Sequence, residues 1–210
     1  IEIILIFLFL FCSCQQSRKQ STIDTTLQTK VDSILQNKMS EIGAISGQAI
    51  VMEVQTGEIK AMVGNSRSQE SGLIRTASLL AALETGKVKL SDTVDVGEGI
   101  YKLHDRELLD HNWHRGGYGK LTTLQGLMVN SHIANYKNIE RAFTEEQAYF
   151  DMLNKMSYGQ PENIEGLDDL KAAHFITPND SGWSNTSLAW FCIGYNQQIS
   201  PIQMLTFYNA

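Results

Sequence analysis

The chain has 210 residues, 42 % hydrophobic and 19 % charged, with a formal net charge of −6. That is enough for one domain with a sizeable core and an ordinary globular balance. No Lys/Arg cluster stands on it, which sets nucleic-acid binding aside, and the cysteines Cys12, Cys14 and Cys192 imply no disulfide framework.

Residues 1–14 read IEIILIFLFLFCSC. Apart from Glu2, the run to Phe11 is apolar. It is shorter than the roughly 20 residues that span a membrane, and it suits the apolar region of a secretory signal. Phe11-Cys12-Ser13-Cys14 loosely resembles a lipobox, with Cys14 as the lipidated residue. Phe11 fits its position imperfectly, and no basic stretch precedes the run. A lipidated Cys14 or an uncleaved anchor would each associate the chain with a membrane through its N-terminus; an unrelated buried segment is the third reading. Residues 15–22 form a polar, solvated linker, so the folded domain is expected over 23–210.

Asp24 stands where it can cap a helix. Leu27, Val31, Ile34 and Leu35 then give an amphipathic stripe to about Ile42, and residues 43–47 break it. Residues 47–64, GQAIVMEVQTGEIKAMVG, read as two short strands joined by a tight turn, with Gly57 free to take a positive φ. In RTASLLAALETG, residues 75–86, Leu79, Leu80 and Leu83 recur at helical spacing, and Gly86 sits where a helix would stop. Residues 94–121 read as an irregular polar loop. His104, Asp105, Asp110, His111 and His114 are ligand types for zinc, but their spacing matches no closed site, so no metal is expected. Trp113 and Tyr118 would suit the rim of a ligand groove.

Helical character returns over 121–143 through Leu124, Leu127, Met128, Ile133, Tyr136, Ile139 and Phe143. A helix over 144–156 is expected, capped by Thr144 and ended near Gly159. Trp183 and Trp190 read as core packing beside a Ser/Asn-rich turn. Cys192, with no His or Asn pattern around it, reads as a small buried hydrophobe.

These segments together resemble the serine transpeptidase domain of penicillin-binding proteins. The strand pair with TGEIKAM, the helix LLAALETGKVKLSDTVDVG behind it, GYGKLTTLQGLMVNSHIANYKNIERAF and GYNQQISPIQMLTFYNA occur in the family's order. The resemblance implies an α+β fold, a mixed antiparallel sheet flanked by helices. It also implies a place on the outer side of the cytoplasmic membrane and partners of one kind, peptidoglycan stem peptides or β-lactams. No cofactor is implied.

The family works through three motifs. A Ser-x-x-Lys supplies nucleophile and base from one helix face, a Ser-x-Asn relays the proton, and a Lys-Thr-Gly on an edge strand binds the substrate carboxylate. None is intact here. The alignment puts Gly72 at the nucleophile and Arg75 at the lysine. Glycine has no nucleophile, arginine stays protonated, and loss of the serine costs such hydrolases roughly 10⁶ in rate. Ser71, one residue earlier, is the candidate for a slipped nucleophile.

At the second motif, Asn130, Ser131 and His132 stand where Ser-x-Asn is expected. Adjacent Ser131 and His132 would point apart rather than form a dyad, and His132 as a base for Ser71 has no supporting pattern. Tyr136-Lys137-Asn138 mimics a Tyr-x-Asn variant by chance. No Lys-Thr-Gly or Lys-Ser-Gly occurs. The chain is expected to be truncated before that strand, leaving a pairing edge and apolar faces bare. The resemblance therefore implies either a transpeptidase-type domain with impaired catalysis, or a non-catalytic binding module or gene remnant of the same fold.

Overall fold

The computed structural model describes residues 21–64, 71–160 and 172–210. The segment 1–14 with Cys14, and the linker up to residue 20, lie outside the described residues. No described helix is long and apolar enough to cross a membrane.

Helix α1 (Thr25–Ile42) is capped as its sequence requires: the Asp24 carboxylate accepts the Leu27 N–H at 2.9 Å, and left-handed Gly43 closes the other end. The apolar stripe is narrower than expected. Leu27, Val31 and Leu35 are half-buried, but Ile34 is 59 % exposed. Strands β1 (Gln48–Met52) and β2 (Ile59–Gly64) form the expected antiparallel hairpin, with Gly57 at φ 71° in its turn. Ile59, Ala61 and Val63 face inward. The outer edge of β2 is closed by α1, where the Gln28 side-chain amide donates to Met62 O and accepts from Met62 N–H, both at 2.8 Å. Side-chain closure of this kind removes a pairing edge.

Helix α2 (Ile74–Glu84) buries Ile74, Ala77, Ser78, Leu79, Ala81 and Ala82, while Leu80 points outward. The chain turns away at Gly86, φ 71°.

The stretch expected to be irregular loop is largely strand. β3 (Thr93–Gly97) pairs with β6 (Gly119–Thr122), and β4 (Ile100–Leu103) forms a hairpin with β5 (Arg106–Leu109). Val94, Val96, Leu103 and Leu108 point into the core, with Asp95 and Glu107 outward. The period-2 signal is present but spread over strands of four or five residues among glycines and histidines.

The helical stretch expected over 121–143 is two helices, α3 (Thr123–Met128) and α4 (His132–Ala142). Asn130, left-handed at φ 59°, separates them, and asparagine tolerates that region better than most side chains. Leu124 and Met128 are exposed. Helix α5 (Glu146–Lys155) begins after Glu145, with no side-chain cap from Thr144. The rest comprises β7 (His174–Phe175) paired with β8 (Gln197–Gln198), α6 (Ser187–Phe191), and α7 (Pro201–Asn209) with a Ser200–Gln203 capping box.

The class is α+β. Among the described residues the sheet consists of four two-stranded antiparallel ladders around a helical core. Phe191 sits at its centre, with Tyr149, Phe150 and Phe175 rings at 4.7–6.1 Å.

Candidate functional site

The site corner is where the chain turns into α2. Ser71 N–H donates to Gly194 O at 3.2 Å, and Gln197 Nε2 donates to Ser71 O at 3.0 Å. The two backbones approach so closely that a Cβ on Gly194 would lie 2.7 Å from Gly72 N and from Ser71 C and O. Only glycine fits there. The Ser71 hydroxyl makes one long contact, accepting Leu73 N–H at 3.4 Å.

Gly72 has no side chain, and Arg75 uses the space. A Cβ at Gly72 would fall 2.8 Å from Arg75 Nη2 and 3.2 Å from Cζ and Nη1. The half-buried guanidinium donates to Ile193 O at 3.4 Å. Burial lowers its pKa from the ordinary arginine value, and arginine side chains stay charged in proteins.

The second corner, the loop into α4, is built differently. Ser131 Oγ donates to Asp110 Oδ2 at 2.7 Å and accepts Ala134 N–H at 3.0 Å, while Asp110 Oδ1 accepts Ile133 N–H at 3.1 Å. Asp110, considered above as a metal ligand type, is a fully buried carboxylate closing the start of α4. His132 Nδ1 donates to Leu109 O at 2.9 Å, which leaves Nε2 without the proton in the neutral ring. Burial, with the Arg75 charge among the lesser causes, lowers the His132 pKa.

Arg75, Asn130, Ser131 and Asn135 line one pocket of about 10 Å³, the room of a single water. Ser71 is not on it. Ser71 lines an apolar groove of about 440 Å³ with Gln48, Ile50, Leu73, Met204 and Tyr208. The structure thus brings Arg75 to the second-motif residues and places Ser71 on another surface. No hydrogen bond joins Ser71 to His132 among the described residues.

The remaining sequence candidates have structural partners. Cys192 is buried, its thiol pushed up to about 12 by burial, and its carbonyl accepts Asn135 Nδ2 at 2.7 Å. Tyr136 and Asn138 are buried and bonded to Glu140 and Thr123, and Lys137 donates to Asp95 O. His111 and Tyr118 bond each other at 2.9 Å, and Trp113 is 46 % exposed. Among the described residues no three His, Cys, Asp or Glu side chains gather as a metal would need. Trp183 donates to Glu146 Oε2 at 2.6 Å against Phe150, and Trp190 packs on Tyr195.

Sequence reasoning missed Gly194 and Gln197 as the braces of Ser71, and Asp110 as the partner of Ser131. All are long-range contacts with no local signature.

Helices and short antiparallel ladders in this order define the fold class of peptidoglycan transpeptidase domains. The apo transpeptidase domain of Burkholderia pseudomallei penicillin-binding protein 3 superposes with a TM-score of 0.78 at 21 % identity, covering 92 % of this chain and 58 % of that one. A Burkholderia ambifaria structure described as a peptidoglycan glycosyltransferase gives a TM-score of 0.79 at 21 % identity, covering 91 % and 60 %. The model of the penicillin binding protein transpeptidase domain matches residues 47–210, and the chain belongs to that family. Curated relatives include the peptidoglycan D,D-transpeptidase FtsI of Escherichia coli K12, 23 % identical over 209 residues, 89 % of this chain and 34 % of the relative. Another is the penicillin-binding protein PbpB of Mycolicibacterium smegmatis, 22 % identical over 223 residues, 92 % and 32 %. The chain spans about a third of the length of these relatives.

Proposed function

We propose that this chain is a transpeptidase-type domain associated with peptidoglycan synthesis, working outside the cytoplasmic membrane, with its acyl-transfer chemistry impaired. It serves as a binding module for stem peptides and takes β-lactams without acylation. Residues 23–210 form the domain, and the apolar segment 1–14 holds it at the membrane, through a lipid on Cys14 or as an uncleaved anchor. The relatives' names support the process.

One observation carries the impairment. The Arg75 guanidinium lies over Gly72, in the volume a nucleophile at that position would occupy. Neither residue can supply the pair that forms an acyl-enzyme. A second reading keeps Ser71 as a displaced nucleophile, because its hydroxyl is half-exposed at the edge of the apolar groove.

Intact-mass spectrometry after incubation with a reactive penicillin separates the two. We expect no adduct on the folded protein. An adduct of one drug molecule that disappears in Ser71→Ala would overturn the impaired reading and establish Ser71 as the nucleophile.

A further inference from the structure

Arg75 is a charged group with no counter-charge in hydrogen-bond or ion-pair reach among the described residues. Among the described residues one of its five N–H donors is engaged, on Ile193 O at 3.4 Å, and no ion pair includes it. Asp110, the carboxylate that acts on neighbouring His132, already accepts from Ser131 and Ile133. The exposed Asn130 lines the same small pocket, with no side-chain hydrogen bond among the described residues. His132, which feels the Arg75 charge, faces Asp110 and His111 as well, and its Nε2 is unpartnered among the described residues. A half-buried guanidinium in this state has lost part of its hydration and gained one long bond in return.

We infer that Arg75 anchors a carboxylate-binding site, in which its planar fork takes the free carboxylate of a peptide and Asn130 donates beside it. A guanidinium matches a carboxylate with two parallel N–H···O bonds. Among the described residues Arg75 is the one cation lining this pocket, beside a neutral imidazole and with the Asp110 carboxylate behind it, a balance that fits a monoanion better than a phosphate. Gly72 is part of the site. It leaves the space beside its Cα to the guanidinium, which a side chain there would displace. The peptide identity rests on the function proposed above; the charge chemistry belongs to this corner.

The test is an NMR titration of the ¹⁵N-labelled full chain with N-acetyl-D-alanyl-D-alanine, its C-terminal amide, and acetate. The acid should bind at least tenfold more tightly than the amide or acetate. Arg75→Gln should weaken it tenfold or more, with Arg75→Lys between. The His132 ring should titrate at higher pH in the complex, since the bound carboxylate offsets the Arg75 charge. Spectral dispersion of each variant reports that it is folded. Equal binding of acid and amide, or full binding by folded Arg75→Gln, overturns the Arg75 site while leaving a peptide-binding module standing. No binding of the acid overturns the site outright, and equal affinity for acetate overturns the peptide assignment. A penicillin adduct counts only against the impaired reading.

Discussion

Two helix starts flank the site corner, and they are built to different standards. At α4 the cap is closed by three bonds: Ser131 Oγ bonds Asp110 at 2.7 Å and Ala134 N–H at 3.0 Å, and Asp110 reaches Ile133 N–H at 3.1 Å. At α2 there is no side-chain cap hydrogen bond, and the first N–H groups of Leu73, Ile74, Arg75 and Thr76 make contacts of 3.3–3.4 Å. The α4 start has become a structural cap. The α2 start remains loosely satisfied and carries a cation that has no ion pair among the described residues. The second-motif corner has put its polar atoms into stability, and the first-motif corner has kept its atoms available.

The largest expected effect lies at α4. Asp110→Ala removes a fully buried carboxylate and strands Ser131 Oγ and Ile133 N–H. Hydrogen bonds to a charged group, plus the buried groups left behind, put the loss at about 3 kcal/mol, measurable by urea unfolding. Asp110→Asn should lose less, because the amide oxygen still accepts one bond. A loss no larger than that of an exposed substitution would mean that the α4 corner is not the anchored one.

Helix α2 is secured one turn further in. The Ser78 and Tyr149 hydroxyls bond at 2.6 Å in the core, where burial holds the Tyr149 phenol well above its ordinary pKa. Ser78→Ala leaves a buried phenol unpaired and should cost about 2 kcal/mol. Adding Tyr149→Phe removes the orphan and should recover part of that, a coupling that a double-mutant cycle reads directly. Additive losses would show that the bond does not hold α2.

How far the sequence discloses this contrast depends on range. Asp24 as a cap, the Gly57 turn and the inward face of β2 are local patterns, and they stand in the structure as the residues suggest. The strands over 93–122 are hidden because each is too short to establish a period, although Val94, Val96 and Leu103 do occupy inward positions in the structure. The break at Asn130 is hidden because Leu124, Leu127 and Met128 continue a helical rhythm that the structure leaves partly exposed. At the site, the substitutions Gly72, Arg75, Asn130 and His132 are legible against the family's motifs. The fold of Arg75 back over Gly72 is not, because the guanidinium bonds Ile193 O, more than a hundred residues away in sequence.

A smaller effect tests the availability of the α2 corner. A Cβ at Gly72 would meet the mobile end of Arg75 rather than backbone, so the guanidinium can yield. Gly72→Ala should therefore cost about 1 kcal/mol or less, as expected when a flexible side chain is displaced. With Arg75→Ala in the background the cost should vanish, or turn into a gain from a stiffer unfolded chain. Equal effects in both backgrounds would mean that Gly72 and Arg75 are not a matched pair.

The smallest effect is the pH dependence of the point where the corners meet. Burial first, and the Arg75 charge further down the order, lower the His132 pKa below its ordinary 6.5. The unfolded chain then binds more protons than the folded one between the lowered value and 6.5, so stability rises with pH across that window. The contribution is fully present above the unfolded pKa and is lost as pH falls through the folded one. Melting temperatures of the wild type and His132→Asn, compared from pH 7.5 downward, should converge as the histidine protonates. Arg75→Gln should weaken the dependence without abolishing it, because desolvation remains when the neighbouring charge has gone. A wild-type profile parallel to that of His132→Asn throughout would remove the electrostatic link between the two helix starts.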